Sequence, residues 1–250
     1  MSLMRSELRL YLYAVQFLTR IPVPSWVGHQ ASDLNACVRY FPWVGASVGL
    51  IAGAVFWLAH LVLPGFVAAS LAVACAILLT GGFHEDGLAD SWDGLGGGVT
   101  KARALEIMRD SRVGTYGALA LGLSLIIRIG ALASLPPALG WVALIVTHAS
   151  ARMIIPSILR FFTYARAEGL AKPVADDIAR HIWIFAVISG LAFASFLGLY
   201  GLLACLMAHL AGWVMIGLFQ RKLGGYTGDG LGAVEQVGEM AALITLAAVI

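Results

Sequence analysis

Seven mostly apolar stretches, residues 41–63, 66–82, 115–135, 141–162, 182–199, 201–219 and 238–250, divide this chain. A bilayer hydrocarbon core of about 30 Å takes roughly 20 helical residues to cross. Six stretches approach that length, and the seventh is short. Such segments must bond their own backbone, which makes helices the expected form. Composition agrees: 60% of the 250 residues are hydrophobic and 12% charged, against roughly 45–50% and about 25% in soluble domains. A soluble enzyme would need more polar surface than these runs provide.

The connections alternate in kind. LPGF, SLPPALGW and LYGL, after the first, third and fifth stretches, are short and uncharged. Nearly all charge lies in the other set: an arm over residues 1–40 with Arg5, Arg9, Arg20 and Arg39, and loops over 83–114, 163–181 and 220–237. Lys and Arg concentrate in cytoplasmic loops, so these four segments are expected on the cytoplasmic side. The N-terminus is then inside and, with seven spans, the C-terminus outside. The expected fold is all-α, a polytopic integral membrane protein of about seven transmembrane helices in one bundle and one domain. The arm carries charges through its apolar part and lacks a small-residue cleavage site, so it reads as an interfacial amphipathic segment rather than a cleaved signal. Gly45, Gly49 and Gly53 have the spacing that lets membrane helices approach closely.

Several function classes are disfavoured. A net charge of +2 with scattered basic residues does not suit nucleic acid. Cys37, Cys75 and Cys205 form no CxxC pair and are odd in number, so neither a disulfide framework nor a zinc site is implied.

Against this charge-poor background, GGFHEDGLADSWDG at 81–94 places Glu85, Asp86, Asp90 and Asp93 within nine positions. On a helix at 100° per residue, Asp86, Asp90 and Asp93 fall within about 60° of one another. Three carboxylates on one face repel and raise each other's pKa, so the arrangement calls for a cation. Hard oxygen ligands suit Mg²⁺ or Mn²⁺. Glu85 lies off that face and is left outside the ligand set. His84 is either a proton shuttle or phosphate contact, or a satisfied polar residue at the helix end.

The second half of the same loop is basic, with Lys101, Arg103, Arg109 and Arg112. An acidic metal site facing arginines suits a substrate bearing phosphates. Asp110 is a further ligand or an ion-pair partner. In RKLGGYTGDGLGAVEQVGE, 221–239, five glycines surround Tyr226, Thr227 and Asp229, a backbone able to approach an anion closely. Arg128 and Arg152 interrupt apolar stretches well inside their ends; each either neutralises a phosphate or ties helices together.

These motifs together resemble the cobalamin synthase family, the adenosylcobinamide-GDP ribazoletransferases. The likeness rests on TGGFHEDGLADSWDGL and on FLTRIPVP (17–24), YFPWVGASVG (40–49), EIMRDSRVGTYGALAL (106–121) and GGYTGDGLGA (224–233), in family order over most of the chain. The resemblance implies a Mg²⁺-dependent inner-membrane enzyme that joins adenosylcobinamide-GDP to α-ribazole or its 5′-phosphate and releases GMP. The family's His-x-Asp-Gly-x-x-Asp-x-x-Asp falls on His84, Asp86, Gly87, Asp90 and Asp93. Asp110 lies in the Arg-Asp-Ser-Arg segment and Asp229 in the Gly-Asp segment. Glu85 stands where the family is often apolar.

The expected roles follow. Asp86, Asp90 and Asp93 hold the metal, Asp90 or Asp93 accepts the proton, and His84 assists. Arg109, Asp110, Arg112, Arg128, Arg152, Thr227 and Asp229 contact substrate. Membrane lipid is an expected partner, and a homo-oligomer is compatible with the sequence. Two other classes share some of these features: an ion-coupled transporter, with charges in or near spans, and a CDP-alcohol phosphotransferase, whose aspartate pattern is only half present here.

Overall fold

The structure, a computed structural model, describes residues 3–28, 31–166 and 178–250. Its α-helices are α1 (Leu3–Leu18), α2 (Ala31–Cys37), α3 (Phe41–His60), α4 (Gly65–Thr80), α5 (Phe83–Gly97), α6 (Lys101–Ile107), α7 (Thr115–Ser134), α8 (Pro137–Phe161), α9 (Arg180–Ala194), α10 (Gly198–Leu223) and α11 (Gly228–Val249). Among the described residues no strand forms, only a single bridge between Tyr164 and Tyr226.

Among the described residues, five helical stretches are long and apolar enough to cross a membrane: Asp33–His60, Thr115–Ser134, Pro137–Phe161, Arg180–Leu223 and Gly228–Val249. Pairing α4 with α5 as one broken span gives a sixth. The protein is therefore all-α and polytopic, but this count stops short of seven for two reasons. α4 has 16 residues, about 24 Å at 1.5 Å per residue, less than the hydrocarbon core. α9 and α10 join into one 44-residue stretch, interrupted by a 3₁₀ turn at Ser195–Leu197 and by Gly198 at φ 56°.

α8 is the axis of the bundle, buried from Ala143 through Leu159. The glycines of α3 let it lie directly against α8: a methyl group at Gly45 or Gly49 would run into the carbonyl oxygens of His148 or Leu144, and one at Gly53 would stand 2.6 Å from that of Trp141. The small-residue spacing is thus a packing seam. α1 is amphipathic. It buries Leu10, Ala14 and Leu18, while its charges pair with the following segment through Arg39–Glu7 (2.5 Å) and Arg9–Asp33 (2.9 Å).

Two segments expected as loops are largely helical. Residues 83–114 form α5 and α6, because Thr100 caps α6 through its side chain and the apolar residues interleaved with the acids pack inward, Leu88 and Ala89 being buried. The Gly-rich 220–237 segment shrinks to Gly224–Thr227, with α10 running to Leu223 and α11 starting at Gly228. Much of the 163–181 loop falls outside the described residues.

The chain enters α5 through Gly81 and Gly82, at φ 68° and 70°, values that suit glycine. These two residues turn α5 by 89° from α4. α5 therefore lies across one end of the bundle, where α4 and α8 finish and α7 and α11 begin.

Candidate functional site

α5 carries His84, Asp86, Asp90 and Asp93 as one helix should, yet their surroundings differ sharply. Asp86 is exposed and Asp90 half-buried. Asp93 is 8% exposed and turns to the start of α7, accepting the backbone N–H groups of Gly114 at 2.7 Å and Gly117 at 2.9 Å. A carboxylate there satisfies orphan donors at a helix N-terminus. Asp93, expected as metal ligand and proton acceptor, thus has both oxygens engaged in holding α7.

Its place beside Asp86 and Asp90 falls to Asp229, in the first turn of α11. α5 and α11 meet at Gly87, where an added Cβ would sit 2.6 Å from the carbonyl oxygen of Asp229. That contact requires glycine and gathers carboxylates from two helices. Asp90 registers the crowding: burial first, then the charges of Asp86, Asp229 and Asp93, push its pKa up to about 7. Arg166 answers part of the charge through an ion pair with Asp229 at 2.7 Å.

Asp86 lies on the wall shared by two clefts. One, of about 590 Å³, is polar, with Thr19, Arg20, Thr80 and Glu85 among its lining residues. The other, of about 440 Å³, is more apolar and runs between α1, the start of α3, α5, the end of α8 and the start of α11. His84 lines the second, almost wholly buried, with Nε2 lacking a hydrogen-bond partner.

The other expected contacts are placed differently. Arg109 is exposed, and its charge is felt at Tyr164 on the wall of the second cleft. Asp110 and Arg112 form a surface pair at 2.6 Å on a separate groove beside the start of α7, and Arg112 holds the Asp110 carboxyl below its usual range. Thr227 caps α11, its hydroxyl accepting from Gly230 N–H at 3.0 Å.

Arg128 and Arg152 depart furthest from a substrate-contacting role, each being 1% exposed. Arg128 reaches Glu239 at 2.9 Å, Glu85 at 2.8 Å and Gln236 at 3.0 Å, and Arg152 reaches Glu235 at 2.6 Å. His148 stands 3.1 Å from Glu239. These groups lock α5, α7, α8 and α11 together, so of the two roles open to the arginines the structure assigns helix tying. His148, Glu235 and Glu239 form the one set of metal-type ligands that converges within 4.8 Å among the described residues. Two guanidiniums already neutralise it, which disfavours a further cation.

The structure thus brings together His84, Asp86, Asp90 and Asp229, and adds Arg20 and Arg166, to which the sequence reading gave no site role. Arg20 falls inside FLTRIPVP, one of the motif segments, and that was its only signal. Arg166 had none, because its pairing with Asp229 spans 63 positions.

A polytopic helical membrane protein with carboxylates between two clefts at one end of its bundle defines the class. The chain belongs to the cobalamin-5-phosphate synthase family, whose model matches residues 10–247. Among its relatives, the adenosylcobinamide-GDP ribazoletransferase of Shewanella frigidimarina is 40% identical over 249 residues, covering 97% of this chain and 95% of the relative. Proteins of the same name from Shewanella baltica (strain OS155) and Leptothrix cholodnii are each 42% identical, covering 96% and 98% of this chain and 94% and 97% of the relatives. No solved structure matches the chain.

Proposed function

We propose that this protein joins adenosylcobinamide-GDP to α-ribazole, or to its 5′-phosphate, and releases GMP. The carrying observation is the position of Asp86 on the wall between two clefts of different polarity. A two-substrate transferase needs such a meeting point, with the phosphoryl donor on one side and the acceptor hydroxyl on the other.

The donor set suits a hard divalent cation, since Asp86 and Asp229 both act on the charge of Asp90 and carboxylate oxygens are the ligands such a cation prefers. Asp86 and Asp229 would hold Mg²⁺, which when bound supplies charge neutralisation at the diphosphate. Asp90, raised toward neutrality, is suited to accept the proton of the attacking ribazole 3′-hydroxyl. The hydroxyl oxygen bonds to the cobinamide-side phosphorus, the bond from that phosphorus to the bridging oxygen breaks, and GMP leaves with that oxygen. Arg20, exposed on the polar cleft, binds phosphate oxygens, and Arg109 adds positive charge nearby. The half-pattern shared with CDP-alcohol phosphotransferases then reflects similar chemistry. The intramembrane charges that would favour a carrier are paired with one another.

We place the site at the cytoplasmic face of the inner membrane, because Arg5, Arg9, Arg20, Lys101, Arg103 and Arg109 belong to the elements around this end. Lipid covers apolar faces such as Leu119, Leu123 and Ile126 of α7, which are exposed.

The test is purified protein in lipid nanodiscs with adenosylcobinamide-GDP, α-ribazole and Mg²⁺. A joined corrinoid product with equimolar GMP is expected from the wild type, and at most a trace from Asp86→Ala. Absence of GMP from the folded wild type, or full release from Asp86→Ala, overturns the reading.

A further inference from the structure

The two clefts differ in their walls as well as their size. In the smaller one, aromatic rings form a chain. Phe17 stacks on Phe41, centroids 6.0 Å apart and planes 12° apart, and meets Phe83 edge-on at 6.2 Å. Phe83 in turn meets His84 edge-on at 5.4 Å. Leu18, Ile155 and Leu231 add aliphatic lining.

Within this lining two buried nitrogens lack partners, Nε2 of His84 and Nε of Arg166. A buried polar atom without a partner costs free energy, about 1–3 kcal/mol, and a bound ligand can relieve it. The volume of about 440 Å³ lies within the range of roughly 300–1,000 Å³ found for small-molecule sites. A flat aromatic ligand with hydrogen-bonding groups at one edge meets all three conditions. The polar cleft shares Phe17 and Phe83 on the common wall but has neither Phe41 nor His84; with Arg20, Thr19 and Thr80 in its lining it suits a diphosphate.

We propose that the smaller cleft is the acceptor subsite: the benzimidazole ring of α-ribazole packs against Phe17, Phe41 and Phe83, while His84 and Arg166 hydrogen-bond its sugar side. This assignment rests on the reaction given above and adds which cleft holds which substrate. It brings the ribose beside Asp86, where the donor phosphate arrives from the other side. Leu231 then determines acceptor specificity, because it lines this cleft and not the polar one.

The experiment compares wild type, Leu231→Trp and Leu231→Ala in nanodiscs, measuring KM for each substrate separately and equilibrium binding of α-ribazole alone. Leu231→Trp should raise the KM for α-ribazole by about ten-fold or more and weaken its binding equally, leaving the KM for adenosylcobinamide-GDP within about two-fold. Leu231→Ala, which avoids overpacking, should shift acceptor preference, raising kcat/KM for ribosides of bulkier bases relative to that for α-ribazole. If the wild type turns over but Leu231→Trp raises the donor KM instead, or Leu231→Ala leaves acceptor preference unchanged, the subsite is wrong. If the folded wild type binds α-ribazole in a Leu231-dependent way yet releases no GMP, the reaction reading fails and the subsite stands.

Discussion

Asp90 and Asp93 are three residues apart on the same helix and do opposite work. Asp90 is half-buried among like charges with a pKa pushed up to about 7, so it exchanges a proton near neutrality. Asp90→Asn should lower kcat by about 10²-fold or more, the usual scale for removing a general base, with donor KM little changed. The base must be ionised, so activity falls as pH drops. A cation held by Asp86 and Asp229, as proposed, would favour the anion, so we expect an acid limb at or below pH 7 in the wild-type kcat profile, absent in Asp90→Asn. Asp93 instead holds two amide groups at the head of α7. Asp93→Asn should destabilise the protein by about 1–3 kcal/mol, read as earlier loss of helical signal in a denaturant titration. If Asp93→Asn leaves stability intact while removing turnover as Asp90→Asn does, the distinction is wrong.

At the scale of helices, the site depends on how closely α5 approaches α11. Gly87 sits at that contact, against the backbone of Asp229 and Gly232. Gly87→Ala should push the helices apart and remove most turnover while the protein still inserts and folds; wild-type activity in Gly87→Ala would show that the spacing does not matter. The spacing of Asp86, Asp90 and Asp93 foretold one helix face, and a helix formed there. It could not foretell that α7 would claim Asp93, because Gly114 and Gly117 lie more than twenty positions away. Nor could it place Asp229 in the cluster, since that depends on the turn at Gly81–Gly82 and on the α5–α11 seam. The two expected loops misled for a related reason: charge and glycine density resemble exposed coil, but here the apolar residues between the acids pack inward. Periodicity within one segment is local and readable, whereas partners set by packing are not.

Across the whole molecule, the apolar stretches announced a helical membrane protein, and the alternation of charged and uncharged connections gathered the polar elements at one end. What they did not fix is how the span count is reached, because α4 is short and α9 and α10 run together. Arg128 and Arg152 stood out in the sequence as charges in apolar surroundings. Only the folded bundle shows that Glu235 and Glu239 answer them. This ion network also imposes an order of synthesis. Arg128 of α7 can pair at once with Glu85 of α5, made before it, but Arg152 of α8 leaves the ribosome 83 residues (235 − 152) ahead of its carboxylate partner Glu235 on α11, and an arginine at the centre of a lone span costs about 2.5–3.5 kcal/mol on insertion scales. α8 must wait, shielded by the insertion machinery or held near the interface, until the last helix arrives. A chain stopped at Leu223 should therefore be cleared by membrane proteases, and α11 supplied as a separate polypeptide should rescue it. Rescue that survives replacing both Glu235 and Glu239 with Ala would show that the late carboxylates are not what α8 waits for.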